Sequence, residues 1–224
     1  MSCLWSVARW SPVVLGLVAI GLFVRPAQAE WYVAGQLGAN LPGDLSNVEW
    51  SAGGGSKAGN DLKLQTSIVY GAKVGYYFES IKWLGVETEL FNARPNIKPQ
   101  DVTIGGIPAG TMQGTYHRIL TWAPVNLIVR YQAGAFEPYG GVGLGVFFSH
   151  FRGTDSSGTD FSSDSTNVGL NTQVGLRYRM TSSFAMFAEW KYNWTQLTQD
   201  NLAGLKVHAD YNANNFVVGL GYHF

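Results

Sequence analysis

The 224-residue sequence lacks most of the features that identify soluble enzymes and helical membrane proteins. It contains one cysteine, Cys3, so a chain without its N-terminal segment has no disulfide, no thiol nucleophile and no cysteine metal site. Only 13% of its residues are charged, whereas ordinary globular domains contain about 25%. Beyond residue 24 no run of about 18 apolar residues occurs, which excludes membrane-spanning helices there.

The N-terminal segment has the three parts of a secretory signal peptide. Arg9 precedes an apolar run from Val13 to Val24, and Pro26–Ala29 supplies a small-residue cleavage site of the A-x-A type. The apolar run is short for a membrane-spanning helix, which needs about 20 residues, although a retained anchor is the alternative. We predict that residues 1–29 are a cleaved signal peptide and that residues 30–224 form one domain.

The charge balance of the mature chain does not indicate a nucleic-acid partner. Without Arg9 and Arg25, 13 basic residues remain against 15 acidic ones, a net charge near −2. The chain is 14% aromatic and contains 28 glycines. If the mature chain enters a membrane it must do so as strands, and a closed barrel leaves no backbone group unpaired.

Period-two alternation is the strongest pattern in the sequence. In Asn215–Phe224 one face is entirely apolar or aromatic, while the other is mostly small, as in a strand with lipid on one side. Similar alternation predicts eight strands: Trp31–Leu41, Ile68–Phe78, Trp83–Phe91, Tyr116–Tyr131, Tyr139–Phe148, Asn167–Met180, Phe184–Trp194 and Asn215–Phe224. A change of parity beside Pro124 predicts a bulge there, because proline cannot donate to the ladder.

The connections between these strands are alternately long and short. The long ones, rich in glycine and polar residues, cover 42–65, 92–115, 149–166 and 196–213, and are predicted to be loops. Short turns at one rim and long loops at the other predict an all-β, eight-stranded antiparallel up-and-down transmembrane β-barrel. An aromatic girdle is predicted at the short-turn rim, formed by Trp31, Phe78, Trp83, Tyr131, Tyr139, Tyr178, Phe184 and Phe224.

A secreted soluble barrel that binds a ligand inside is the main alternative fold. Its apolar residues would point inward. Here the small and polar face carries the charges, so such a barrel would bury them around its ligand or turn the aromatic face to water. The patterning therefore favours the transmembrane barrel.

Several segments resemble the small eight-stranded outer-membrane barrel family that includes the OmpA transmembrane domain, OmpX and the Opa-type proteins. These segments read LGVETEL, APVNLIVRY, EPYGGVGLGV and FAEWKY, and the chain ends in V-x-L-x-Y-x-F. The resemblance implies location in the bacterial outer membrane, in contact with lipid and lipopolysaccharide. It also implies that Leu220, Tyr222 and Phe224 form the signal read by the barrel assembly machinery.

The inward-facing charges are the main candidate site. The interior of an eight-stranded barrel is barely wide enough for side chains, so acids and bases there should pair and plug it. Lys73 is expected opposite or diagonal to Glu87 and Glu89, and Arg177 diagonal to Glu189. The predicted lumen ion-pair network consists of Lys73, Glu87, Glu89, Arg130, Arg177, Glu189 and Lys191.

Catalysis is not predicted. Ser149-His150 followed by Asp155 is the one local serine–histidine–acid candidate, but adjacent strand residues point to opposite faces. His117 and His150 are the positions where a lipid A-modifying activity would have to lie. No metal site and no cofactor are predicted.

By elimination, the sequence indicates a structural or adhesive barrel whose four long surface loops carry its function. Apolar spots in these loops, at Val48–Trp50, Val102–Ile107 and Leu202–Val207, suit contacts with a surface or host ligand. Two alternatives stay open: a small channel and a lipid A-modifying enzyme. The first would conduct ions and the second would change the mass of lipid A.

Overall fold

The computed structural model describes residues 30–52, 55–112, 114–154, 160–202 and 205–224. The predicted signal peptide, residues 1–29, lies outside these described residues. Within the described ranges, no helix is long and apolar enough to cross a membrane.

The described residues form twelve strands. They are β1 (Glu30–Pro42), β2 (Ser46–Ala52), β3 (Gly55–Ala58), β4 (Ser67–Tyr77), β5 (Leu84–Ala93), β6 (Gln100–Ile104), β7 (Ile107–Met112), β8 (Tyr116–Arg130), β9 (Phe136–Thr154), β10 (Asp160–Arg179), β11 (Phe184–Leu202) and β12 (Leu205–His223).

Eight of these strands, β1, β4, β5 and β8 to β12, close into an antiparallel barrel in which sequence neighbours are also sheet neighbours. β1 pairs with β4 on one side and with β12 on the other, in a register that sets Tyr32 opposite His223. Because β1 is hydrogen-bonded along both edges, the barrel has no open seam. The predicted eight-stranded up-and-down barrel is confirmed.

The direction of the side chains follows the predicted alternation. Apolar residues of the outer face are exposed, among them Val218 (63%) and Leu220 (61%), while Lys73 and Glu87 on the inner face are each 2% exposed. An apolar outer face and a charged interior are the reverse of what a soluble ligand-binding barrel has, so the alternative of a soluble barrel is wrong. The bulge beside Pro124 is confirmed, since the β8–β9 register shifts between Trp122 and Val125.

One member of the predicted aromatic girdle lies elsewhere. Seven of the eight rings are exposed or half-buried on the outer face near the short-turn rim, but Tyr139 is 5% exposed and points into the lumen. Tyr139 is in register with Gly175 of β10, and the missing side chain there leaves space for its ring. The expectation for Tyr139 was therefore wrong.

The four long connections are far more ordered than predicted. Described parts of 149–166 and 196–213 continue β9 to β12 as paired strands, and 42–65 contains β2 and β3. Within 92–115, β6 and β7 form a hairpin whose turn residues Gly105 and Gly106 both have positive φ, which suits a tight two-residue turn. The expectation of four irregular loops was wrong.

The lengthened strands carry the sheet well beyond the apolar band. Strands of about 20 residues tilted near 40° rise on the order of 50 Å, roughly twice the ~25 Å apolar band of such barrels. Beyond the end of β1, the strand that pairs with β12 is β2, and Trp50 of β2 lies opposite Val207. The barrel therefore has two levels, a polar lumen inside the apolar band and a second interior above it.

Candidate functional site

Five charged side chains meet in the middle of the polar lumen: Lys73, Glu87, Glu89, Glu189 and Lys191. Lys73 Nζ lies 2.5 Å from Glu189 Oε2 and 3.4 Å from Glu87 Oε2. Lys191 Nζ lies 2.7 Å from Glu189 Oε1 and also contacts Glu89. All five side chains are at most 1% exposed. We call this set the central ion cluster.

Neutral side chains add hydrogen bonds to the acids of the central ion cluster. The hydroxyl of Tyr32 donates to Glu87 at 2.5 Å, and that of Tyr139 donates to Glu189 at 2.5 Å. Gln173 donates to Glu87 at 2.8 Å. Because a buried carboxylate without partners is costly, these donors allow three acids to coexist with two lysines.

Arg130 and Arg177 do not join the central ion cluster but lie at the short-turn rim. Arg177 Nη1 is 3.4 Å from Glu137 Oε2, and Arg130 Nη2 is 2.5 Å from Glu30 Oε2. Arg179 Nε lies 2.6 Å from Glu137 Oε1. The predicted diagonal placement of Arg177 and Glu189 is confirmed, since Arg177 is opposite Phe187 and Glu189 is opposite Gly175, but the guanidinium pairs with Glu137 of β9 and not with Glu189. We call these five residues the rim cluster.

The sequence reading missed Glu30, Glu137 and the inward tyrosines, although a signal was present. Glu30 shares the parity of Tyr32 in β1, and Glu137 shares the parity of Tyr139 in β9. Extending the alternation by two residues at each strand start would have placed both acids in the lumen. The predicted strand Tyr139–Phe148 begins two residues after Glu137, which therefore falls in the short connection that precedes it.

Glycines leave space for the rings that support the acids. A Cβ built at Gly75 would lie 2.2 Å from the ring of Tyr32, and one at Gly175 would lie 2.6 Å from the ring of Tyr139. Each ring packs over the glycine directly opposite it in the neighbouring strand. The small residues of the lumen thus accommodate aromatic rings as well as charges.

A chain of five asparagines lines the lumen between the central ion cluster and the second interior. Asn40 donates to Asn215 at 2.7 Å, and Asn215 donates to Asn193 at 2.7 Å. Asn193 then donates to Asn171 at 2.6 Å, and Asn171 to Asn126 at 2.9 Å. The amides thereby connect β1, β12, β11, β10 and β8 in one direction around the wall.

Gly143 of β9 allows this asparagine chain to bridge from β10 to β8. A Cβ at Gly143 would lie 2.3 Å from Asn126 Oδ1 and 2.3 Å from the Val125 carbonyl oxygen. We expect Gly143→Ala to displace Asn126 and destabilise the barrel by about 1–3 kcal/mol, as overpacking of a close-packed interior does. Urea titration of the vesicle-embedded barrel, read from the gel mobility of the folded form, measures this.

Gly140 provides the control for that substitution in the same strand. A Cβ there would meet its nearest atom, the Gln173 carbonyl oxygen, at an ordinary 3.5 Å. Gly140→Ala should leave the urea midpoint within the range of a neutral surface change. Equal effects of the two substitutions would contradict a specific contact at Asn126.

The second interior, above the asparagine chain, is apolar. Its buried residues, which we call the outer compartment, are Leu45, Val48, Trp50, Leu62, Leu64, Ile97, Val102, Ile119, Phe147, Phe151, Leu197, Val207, Ala209, Tyr211 and Ala213. They include most of the apolar spots that were expected to contact a ligand from the loop surface. That expectation was wrong for Val48, Trp50, Val102 and Val207, each at most 7% exposed.

A serine–histidine pair lies beside the outer compartment. His117 Nε2 is 2.8 Å from Ser149 Oγ, which also accepts a hydrogen bond from Gln199 at 2.8 Å. His117 and Ser149 are each 2% exposed, and next to them lies a cavity of about 40 Å³, room for very few water molecules. Burial lowers the pKa of His117 to about 4, despite an opposing contact with the Pro95 carbonyl.

His150 is separate from this pair. It points outward, and its Nδ1 is 2.5 Å from Asp164 Oδ1. The prediction that Ser149 and His150 point to opposite faces is confirmed, and Ser149 contacts His117 instead. Asp155, the acid of the Ser149-His150 candidate, lies outside the described residues. In the described ranges no three histidine, cysteine, aspartate or glutamate side chains converge as metal ligands.

The residues of the predicted assembly signal lie on the outer face of β12 and just beyond it. Leu220 is 61% exposed, while Tyr222 and Phe224 are half-buried, with their ring centres 6.0 Å apart. The backbone of Phe224 exchanges hydrogen bonds of 3.2 and 3.0 Å with Trp31. The three side chains are thus accessible from the lipid side, beside the seam between the first and last strands.

Comparison with known proteins gives one consistent result. Residues 15–224 match the family described as outer membrane protein beta-barrel domain. OprG from Pseudomonas aeruginosa is 18% identical, with 88% of this chain and 96% of that chain covered and a TM-score of 0.59. Neisserial surface protein A is 15% identical, with coverages of 87% and 97% and a TM-score of 0.53.

A major outer membrane protein from Thermus thermophilus is 12% identical, with 88% of this chain and 99% of that chain covered and a TM-score of 0.54. A sequence comparison with curated proteins finds no match. At these identities, likeness to the solved structures shows the fold alone.

Proposed function

The chain belongs to the family of outer-membrane β-barrel domains, and on that premise we propose that it is a closed structural barrel that presents an ordered surface outside the cell. The protein is located in the bacterial outer membrane. The observation that carries the proposal is the central ion cluster, whose five charged side chains are at most 1% exposed. A lumen filled in this way supports a scaffold rather than a pore.

Three successive layers support closure. An ion entering from outside would meet the apolar outer compartment, then the asparagine chain, then the central ion cluster. Each layer would have to open, because an ion leaving water loses its hydration and gains no replacement ligands in an apolar interior. The channel alternative therefore needs a large rearrangement of this interior.

The surface available for binding lies on the extension above the apolar band. Paired strands and the β6–β7 hairpin make it a rigid extension of the barrel, supported by the outer compartment. A rigid scaffold is where recognition surfaces are normally carried. We propose adhesion or binding of a surface or host ligand here, lipid and lipopolysaccharide as neighbours, and recognition of Leu220, Tyr222 and Phe224 by the barrel assembly machinery.

The proposal assigns no catalysis. A lipid A-modifying enzyme needs its nucleophile and base at the lipid boundary, whereas Ser149 and His117 are buried inside the barrel. A histidine with its pKa lowered to about 4 is also a weak general base near neutral pH. These observations favour a polar interior contact for His117 and Ser149.

Planar-bilayer recording tests the closed barrel directly. We expect the folded protein to insert without discrete conductance steps, because the lumen is filled at the level of the central ion cluster. Insertion of the protein into a bilayer is verified separately in vesicles, where the membrane-embedded strands should be protected from protease. Discrete steps whose amplitude changes on Glu89→Gln or Arg177→Gln would overturn the proposal in favour of the small channel.

A further inference from the structure

The outer surface carries a group of basic residues just above the apolar band, apart from the sites described so far. Arg118 and Arg152 are exposed, and Arg94, Tyr116 and His150 surround them on the end of β5, on β8 and on β9. We call these five residues the basic patch. It continues the lipid-facing surface directly.

The sequence of outward residues shows that continuity. Moving up β8, Trp122 and Leu120 are followed by Arg118, and moving up β9, Phe148 is followed by His150. The patch therefore begins where the apolar side chains end. In a bilayer this is the height at which acyl chains give way to charged headgroups.

The register brings the two arginines to one place. Arg118 is directly opposite His150, and Tyr116 is directly opposite Arg152. The arginines are thus diagonal neighbours, whose Cα atoms in such ladders are about 7–8 Å apart, close enough for both guanidiniums to approach one anion. Tyr116, Arg118, His150 and Arg152 line a depression of about 480 Å³.

The charges of the patch are largely uncompensated. Among the described residues, no carboxylate lies within ion-pair distance of Arg94, Arg118 or Arg152, and Asp164 pairs only with His150 at 2.5 Å. Arg94 also lies over the ring of Tyr116, 5.8 Å from its centre. Unpaired guanidiniums in one depression favour an anionic ligand.

A comparable position on β12 carries the opposite charge. Asp210 lies there and accepts from Asn47 at 2.7 Å. Among the described residues, the three exposed arginines, Arg94, Arg118 and Arg152, all lie in one sector formed by the end of β5, β8 and β9, whereas the exposed Lys57 and Lys63 lie outside it. This asymmetry favours a local binding site over general attraction to a charged membrane.

We propose that the basic patch binds a phosphate group of an outer-leaflet glycolipid, with the acyl chains lying along Leu120, Trp122 and Phe148. Arginine forks match phosphate oxygens in two parallel hydrogen bonds, and the adjoining apolar face distinguishes a lipid from free phosphate. The inference deepens the proposed function and rests on its orientation, with the long connections outside the cell.

Native mass spectrometry of the folded, detergent-solubilised barrel tests this site. The probes are bisphosphorylated lipid A, the same lipid A after removal of its phosphates, and inorganic phosphate. We expect bisphosphorylated lipid A to bind about 10-fold or more weakly to Arg118→Gln/Arg152→Gln, since each lost charge-assisted hydrogen bond contributes roughly a factor of ten. Removing the phosphates from lipid A should weaken its binding to the wild-type protein at least as much as the two glutamine substitutions weaken the binding of bisphosphorylated lipid A.

Two variants serve as controls. Lys57→Gln/Lys63→Gln removes two exposed charges from residues above the apolar band and outside the patch, and should bind as wild type. Arg118→Lys/Arg152→Lys keeps the charge but loses the fork, so its affinity should fall between those of wild type and the glutamine variant. Gel mobility of the unheated barrel verifies that each variant is folded.

Equal binding of lipid A by wild type and the glutamine variant would overturn the proposal. So would equal binding with and without phosphates, or full displacement of the lipid by inorganic phosphate, which would indicate a free-anion site. The result is independent of the conductance measurement: a conducting barrel could retain the lipid site, and a closed barrel could lack it.

Discussion

Replacing Lys73 by methionine should destabilise the barrel by about 3–5 kcal/mol, the cost of removing one partner from a buried ion pair. Lys73 contacts Glu87 and Glu189 with no solvent exposure of any of the three side chains. Methionine has a similar volume, so the substitution removes charge with little change in packing. The two carboxylates, which are not exposed to solvent, then lose their shared cation.

Urea titration of the vesicle-embedded barrel measures the effect, with the fraction folded read from gel mobility. Lys82→Met, on an exposed lysine of a short turn, is the matched control and should cost less than about 0.5 kcal/mol. Adding Glu87→Gln to Lys73→Met should recover part of the loss, since among the described residues Glu87 has no other cation within ion-pair distance, whereas Glu189 keeps Lys191. A single-variant effect below about 1 kcal/mol would show that the central ion cluster does not stabilise the fold.

Acidification should weaken the wild-type barrel through His117, by about 3 kcal/mol between pH 6.5 and pH 4. Burial lowers the pKa of His117 to about 4 in the folded protein, against 6.5 in an unfolded chain. Between these values the unfolded chain binds a proton that the folded one excludes, so falling pH favours unfolding. Below about pH 4 both states are protonated, and this group causes no further loss.

The difference between wild type and His117→Gln isolates this contribution from that of other titrating groups. Urea midpoints measured from pH 7.5 to 4 should fall less steeply in the variant, because glutamine does not titrate. Parallel profiles for wild type and His117→Gln would show that His117 is not held neutral by burial.

The extent of the strands shows where local pattern stops being informative. In β12 the inward residues keep one parity from Val207 to His223, so the strand itself is continuous. Its outward residues change from apolar to polar around Asn214, and its inward residues change from polar to apolar around Ala213. The alternation with apolar residues on the outer face therefore ends at the membrane boundary, and beyond it the sequence pattern predicts a loop although the strand continues.

The composition of the lumen could be predicted, and so could the placement of Lys73 opposite Glu89 and diagonal to Glu87 across a short turn, whereas pairing between strands distant in the chain could not. Successive residues of a strand point to opposite faces, so period-two alternation is a local property of the chain. It therefore suffices to place Lys73, Glu89 and Arg177 inside. Their partners come from other strands: Lys73 of β4 meets Glu189 of β11, 116 positions away. Such contacts depend on the stagger around the closed barrel, which local sequence does not encode.

The eight strands, their order, the apolar outer face and the set of inward charges can all be derived from the amino-acid sequence, because they follow from alternation and from the lengths of the connections. Three features arise only in the folded barrel: the division of the charges into a central ion cluster and a rim cluster, the contact of Ser149 with His117, and the apolar outer compartment above the asparagine chain. They depend on closure, since closing eight strands brings together residues distant in sequence, and each inward side chain then packs against strands it does not adjoin in sequence.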